Sequence, residues 1–140
     1  MKILLAVDGS DIGQAAVRHV AQLAKELKQA PRIALLYVDP PLLKQAAAAL
    51  GNDGVARYHG ENADYALKKA RTALKRARLA FDEVQIVGEA AESIVEQARK
   101  TKADVIVMGS HGRGALKNLF VGSVAQKVIA ASPVPVVVAR

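Results

Sequence analysis

The sequence predicts an α/β fold: a five-stranded parallel doubly wound sheet with helices on both faces. Three observations predict it. Short apolar runs such as Ile3-Leu-Leu-Ala-Val7 are continuous rather than alternating, as expected of strands buried on both faces. Stretches with helical apolar spacing separate these runs, which is the rhythm of βαβ units. Turn chemistry gathers at the carboxyl ends of the runs, where open α/β sheets place their ligands.

The first strand, Lys2 to Val7, stops at Asp8-Gly9-Ser10. Ser10 is expected to cap the next helix, with Asp11 in its first turn to complement the dipole. Ala16, Val20, Leu23 and Leu27 fall at helical spacing, and Pro31 closes that segment. Arg32 to Val38 reads as the second strand, ended by Asp39-Pro40-Pro41. Lys44 to Leu50 is alanine-rich and reads as a short helix, followed by loop chemistry at Gly51-Asn-Asp-Gly54. Leu42 to Tyr58 as a whole reads as the variable, mobile part of the domain.

A longer helix is expected from about Glu61 to Leu79, with Ala66, Ala70, Ala73 or Leu74, and Ala77 inward. Glu83 to Val87 is the third strand, and Ala91, Ile94, Val95 and Ala98 mark the following helix. Asp104 to Met108 is the fourth strand. Phe120, Val121, Val124, Ala125, Val128 and Ile129 outline a broad helix face, ended by Ser132-Pro133. Pro135 to Ala139 is the fifth strand.

Composition sets the outer bounds. The 140 residues suit one domain, 1–140, and 51% hydrophobic content supports a core without staples. Aromatics make up 4%, so that core must be aliphatic, and the lack of cysteine excludes disulfides and thiolate chemistry. No secretory core and no membrane-length apolar run is visible, so a cytoplasmic protein is expected. The net charge is +7, with six cations at Lys68, Lys69, Arg71, Lys75, Arg76 and Arg78. No aromatic residue interleaves with them. A solvated helix face is therefore expected, and nucleic acid is an unlikely partner.

The chemistry concentrates after the fourth strand, where the run breaks into a loop containing Gly109, Gly112 and Gly114. Nine residues separate Gly112 from Gly122-Ser123, where helical patterning resumes. Strand, glycine loop and helix start form the sequence of a phosphate cradle, because amide groups approach an anion where side chains are absent. The spacing matches neither G-x-G-x-x-G nor a Walker loop. The plain alternative is that Gly109 and Gly114 merely turn the chain.

At this spacing, G-x-x-G-x9-G-S, the chain closely resembles the ATP-binding type of the universal stress protein family. Ile3-Leu-Leu-Ala-Val-Asp-Gly-Ser10, Gly88-Glu-Ala-Ala-Glu-Ser-Ile94, Ala103 to Gly112, Val121-Gly-Ser-Val124 and Pro133 to Val138 carry the likeness. The resemblance implies a Rossmann-like sheet of order 3-2-1-4-5, an ATP site with magnesium, and a homodimer through the closing strand, Val134 to Ala139. By matched position, Asp8 would lie at the ribose and phosphate end, with Ala6, Val7 and Ser10 beside it. The Val38 backbone would meet adenine. Met108, Gly109, Gly112, Gly122 and Ser123 would hold the nucleotide, with His111, Arg113, Gly114 and Val124 as further contacts. Asp8 is the one metal-ligand candidate, through magnesium-bound ATP.

No second carboxylate or oriented nucleophile is evident, so binding with little or no turnover is expected. Three readings follow. The first is a nucleotide-responsive stress module with an unknown protein client. The second is a slow ATPase or adenylate-transferring enzyme, and the third is a nucleic-acid binder using helix 68–78.

Overall fold

The structure is a computed structural model that describes residues 1–111 and 121–140. Its elements run β1 (Lys2–Ala6), α1 (Gly13–Glu26), β2 (Arg32–Asp39), α2 (Lys44–Arg76), β3 (Phe81–Val87), α3 (Ala90–Thr101), β4 (Val105–Gly109), α4 (Ser123–Ala131) and β5 (Val136–Ala139). The strands form one parallel sheet in the order β3-β2-β1-β4-β5, as expected.

Two-sided burial explains the continuous apolar runs. Ile3, Leu5 and Val7 of the first segment face a core closed by α1 and α2, with Val17, Val20, Leu67 and Leu74. Leu4 and Ala6 face the opposite core under α3 and α4, with Ile94, Val95, Ile106 and Val128. Each fully buried Leu or Val contributes about 1.5–3 kcal/mol. No helix among the described residues is long and apolar enough to cross a membrane.

Several boundaries differ from the sequence expectation. α1 starts at Gly13, so Asp11 lies before the helix rather than in its first turn. Ser10 still serves the helix start, its Oγ accepting the Gly13 amide at 3.1 Å. The long helix starts not at Glu61 but at Lys44, with a single kink at Gly51 (φ 69°, ψ 173°). The expected loop at 51–54 is thus one residue deep. Gly51 absorbs the left-handed backbone, and Asn52, Asp53 and Gly54 already belong to the resumed helix. α2 ends at Arg76, three residues earlier than expected, and β3 begins at Phe81 rather than Glu83. α4 begins at Ser123, so Val121 precedes it while still packing on the α3–α4 core. Phe120 lies outside the described residues.

The cations of α2 are partly committed within the fold. Lys69 meets Asp11 at 2.7 Å, and Arg71 binds both Glu83 oxygens while reaching Asp64. The guanidinium of Arg71 is held more firmly protonated by its Glu83 bond, which outweighs the opposing effect of burial.

Candidate functional site

The carboxyl ends of β1, β2 and β4 form one rim, and the start of α4 is fastened to it. At the end of β1 the chain turns through Gly9, whose φ of 82° suits a residue without Cβ. Asp8 Oδ1 accepts the Ser10 amide at 2.9 Å and the Ser10 hydroxyl at 2.6 Å. Ser10 in turn accepts the Gly13 amide. The Asp8 carboxylate is therefore oriented by the turn that begins α1. A Cβ on Gly13 would come within 3.2 Å of that same Asp8 oxygen, so glycine there leaves room for the carboxylate.

At the end of β4, Gly109 lies against the backbone of Ile12 and Gly13. Ser110, 2% exposed, is held on both sides of its peptide plane. Its amide donates to the Ala139 carbonyl at 2.8 Å, and its carbonyl accepts the Gly122 amide at 2.6 Å. The second bond pins the start of α4 beside the end of β4, closing the connection between two elements that are consecutive among the described residues. Gly122 is the N-cap, in extended backbone and without a side-chain cap bond. The first amides of α4, at Ser123 and Val124, thus face outward from a helix N-terminus with no helical carbonyl to bind. His111 Nδ1 lies 2.9 Å from the Ser110 hydroxyl.

The structure brings together Ala6, Val7, Asp8, Ser10, Met108, Gly109, His111, Gly122, Ser123 and Val124 at the joined ends of β1, β4 and α4. Val38 stands at the end of β2, half-buried against the α3–α4 core. Ala6, Val7 and Met108 are more than nine-tenths buried, so what they offer a ligand is limited to their rim edges. The Val124 side chain packs inward on the α3–α4 core, leaving its amide as the outward group. Gly112, Arg113 and Gly114 lie outside the described residues. Among the described residues no three His, Asp or Glu side chains converge as a metal cage.

One polar cluster at this rim escaped the sequence reading. Asp39, at the end of β2, is 6% exposed. Its Oδ1 accepts the Tyr37 hydroxyl at 2.8 Å. Its Oδ2 accepts Asn62 Nδ2 at 2.9 Å and lies 2.6 Å from His59 Nδ1. Burial pushes the Asp39 carboxyl up. Hydrogen bonds from Asn62, His59 and Tyr37 outweigh that effect and hold it below its ordinary 3.8. A signal was present: Tyr37 and Asp39 share a strand face, and His59 and Asn62 are three apart on a helix. It was hidden because the helix was expected to start only at Glu61.

The family model described as the universal stress protein family matches residues 1–140. A universal stress protein of Thermus aquaticus, from the QAH/OAS sulfhydrylase 3' region, is 36% identical over 140 residues, covering 99% of this chain and 97% of the relative. The solved structure of MJ0577 of Methanocaldococcus jannaschii aligns with a TM-score of 0.79 at 28% identity, covering 99% of this chain and 94% of that one. A universal stress protein solved in complex with cAMP aligns with a TM-score of 0.67 at 25% identity, covering 100% of this chain and 97% of that one.

Proposed function

This chain belongs to the universal stress protein family, and from that premise we propose that it binds an adenine nucleotide, ATP with magnesium, at the rim where β1, β4 and α4 meet. In this reading it is a single-domain, homodimeric stress-response module that responds to nucleotide with little or no turnover, and its client is a protein. The observation that carries the reading is the 2.6 Å bond from the Gly122 amide to the Ser110 carbonyl. It sets the uncapped N-terminus of α4 beside the glycine end of β4, which is a favourable place for phosphate. The solved family member in complex with cAMP supports the choice of an adenine nucleotide.

The roles follow the chemistry of each group. The amides of Ser123 and Val124, with the Ser123 hydroxyl, take phosphate and ribose oxygens. The carboxylate of Asp8 faces the ribose and phosphate end, where it joins phosphate oxygens in holding magnesium; that ion typically combines one or two carboxylates with phosphates and water. The Val38 backbone takes the adenine edge, and Ala6, Val7, Ser10, Met108, Gly109 and His111 complete the walls. Gly112, Arg113 and Gly114 belong to the same proposal by sequence position. Charge-assisted hydrogen bonds contribute roughly 1.5–3 kcal/mol each. Three or four of them therefore supply much of the roughly 8 kcal/mol of a micromolar complex.

The pairing of Lys69 with Asp11, and of Arg71 with Glu83 and Asp64, favours the solvated-face reading of α2 over a nucleic-acid footprint. The deciding experiment is to denature freshly purified protein and identify the released nucleotide, then titrate nucleotide-free protein with ATP. An adenine nucleotide in the supernatant and saturable ATP binding are expected. The absence of both release and binding would reject the reading. Turnover near 1 s⁻¹, within the range of working enzymes, would replace the module with an ATPase.

A further inference from the structure

The Asp39 cluster joins the end of β2 to the middle of α2, and nothing in the proposed nucleotide contacts accounts for it. A strand-end residue that only needed to fill core space would be apolar, because a buried carboxylate must be fully satisfied to be tolerated. Here three side chains from two elements are spent on one carboxylate: Tyr37 from β2, and His59 and Asn62 from α2. The Asp39 main chain is fixed from the other side, its carbonyl accepting the Gly88 amide beyond β3 at 2.9 Å. Asp39 is thus clamped between β3 and α2, and its immediate neighbour is Val38.

The level of this clamp matters. α2 descends from the carboxyl rim towards the start of β3, and its inner stripe is Ala63, Ala66, Leu67, Ala70 and Leu74. His59 sits one turn above that stripe, against the last residue of β2. The helix N-terminal to it, 52–58, is about 10 Å long at 1.5 Å per residue. This upper section is largely exposed at Asn52, Asp53, Ala56, Arg57 and Tyr58. Above it the Gly51 kink has nothing within 4 Å of a notional Cβ. An exposed helix end with few core contacts opens readily unless it is tied down. The His59 and Asn62 bonds to Asp39, just below this section, tie it to the sheet.

We propose that His59 and Asn62 are positioning residues: by gripping Asp39 they hold the upper section of α2 against the carboxyl end of β2, on the sheet face opposite the Val38 side chain, as a wall of the adenine pocket proposed at the Val38 backbone. The role in binding rests on the nucleotide reading above, whereas the grip itself does not. His59 Nδ1 is the atom that matters, so an asparagine, whose amide nitrogen reaches a similar position, should replace it, and a glutamine or alanine should not.

The test compares wild type with His59→Ala, His59→Gln, His59→Asn and Asn62→Ala, in nucleotide-free protein and in ATP titrations. Hydrogen exchange of amides 52–62 is expected to accelerate at least tenfold in His59→Ala and His59→Gln, and to return towards wild type in His59→Asn. ATP affinity is expected to fall at least tenfold and recover in the same order. Unchanged exchange in His59→Ala overturns the grip. Accelerated exchange with unchanged ATP affinity overturns the positioning role. If wild type binds no ATP while exchange still follows this order, the nucleotide reading fails and the grip stands.

Discussion

Gly109 approaches Ile12 so closely that a Cβ placed on it would lie 3.1 Å from the Ile12 carbonyl oxygen. The Gly13 amide nitrogen would be 3.2 Å away, and both neighbours are backbone that cannot rotate aside. The fourth strand and the first helix thus meet at a contact only glycine fills. Gly109→Ala is expected to cost about 1–3 kcal/mol, the range for overpacking a tight site. Urea denaturation should show a lower midpoint with an unchanged slope. An unchanged midpoint would mean that the start of α1 yields.

Gly122 is buried, but its backbone makes no demand for glycine. Its backbone is extended (φ −71°, ψ 163°), a conformation any residue adopts. Gly122→Val is therefore expected to keep the fold, by circular dichroism and melting temperature, while placing a branched side chain where phosphate is proposed to sit. ATP binding by calorimetry should drop below detection. Retained affinity would move the phosphate site away from the start of α4.

The Asp39 carboxyl titrates below its ordinary 3.8 in the folded chain. A lowered carboxyl stabilises the fold above the unfolded value, and that contribution disappears as pH falls through the folded value. Wild type is therefore expected to lose stability steeply below about pH 3.8. Asp39→Asn should be less stable near pH 7 by about 1–3 kcal/mol, the range for bonds to a charged group. Its stability should also fall less steeply in acid. Parallel acid curves for the two proteins would count against a special role for this carboxyl.

β5 lies at the sheet edge, and its register shows which groups are free for another chain. Pro135 and Ala139 carbonyls accept amides from Ile106 of β4 and from Ser110 just beyond it. In a parallel ladder the alternate residues Val136 and Val138 then turn their backbone groups outward. The homodimer proposed through Val134–Ala139 would use those groups. Val138→Pro removes an outward amide without breaking a bond to β4. Sedimentation at micromolar concentration should show a dimer for wild type and a monomer for the variant, with unchanged circular dichroism.

What could be read from the sequence followed from how local the governing physics is. The five strands were legible because burial on both faces makes Ile3-Leu-Leu-Ala-Val7 and its counterparts continuous. The rim residues were legible because turn chemistry follows each run. The region 42–60 was not, because Gly51-Asn-Asp-Gly54 satisfies every rule for a loop, yet only Gly51 leaves the helix. That single misplacement hid the Asp39 cluster, since His59 becomes a helix residue facing β2 only once the helix reaches it. The bonds of Ser110 were likewise out of reach, because one joins it to the edge strand and the other to the start of α4, contacts made only in the folded chain.

The aliphatic character of the core has a practical consequence. The chain has no tryptophan and three tyrosines. Tyr58 and Tyr65 are 39% and 71% exposed, whereas Tyr37 is 6% exposed and bonded to Asp39. A water-soluble quencher will silence the first two and spare the third. The carboxylate that accepts the Tyr37 hydroxyl itself quenches tyrosine emission, so loosening that bond is expected to brighten a quencher-resistant component, an optical reporter of the proposed wall that needs no label.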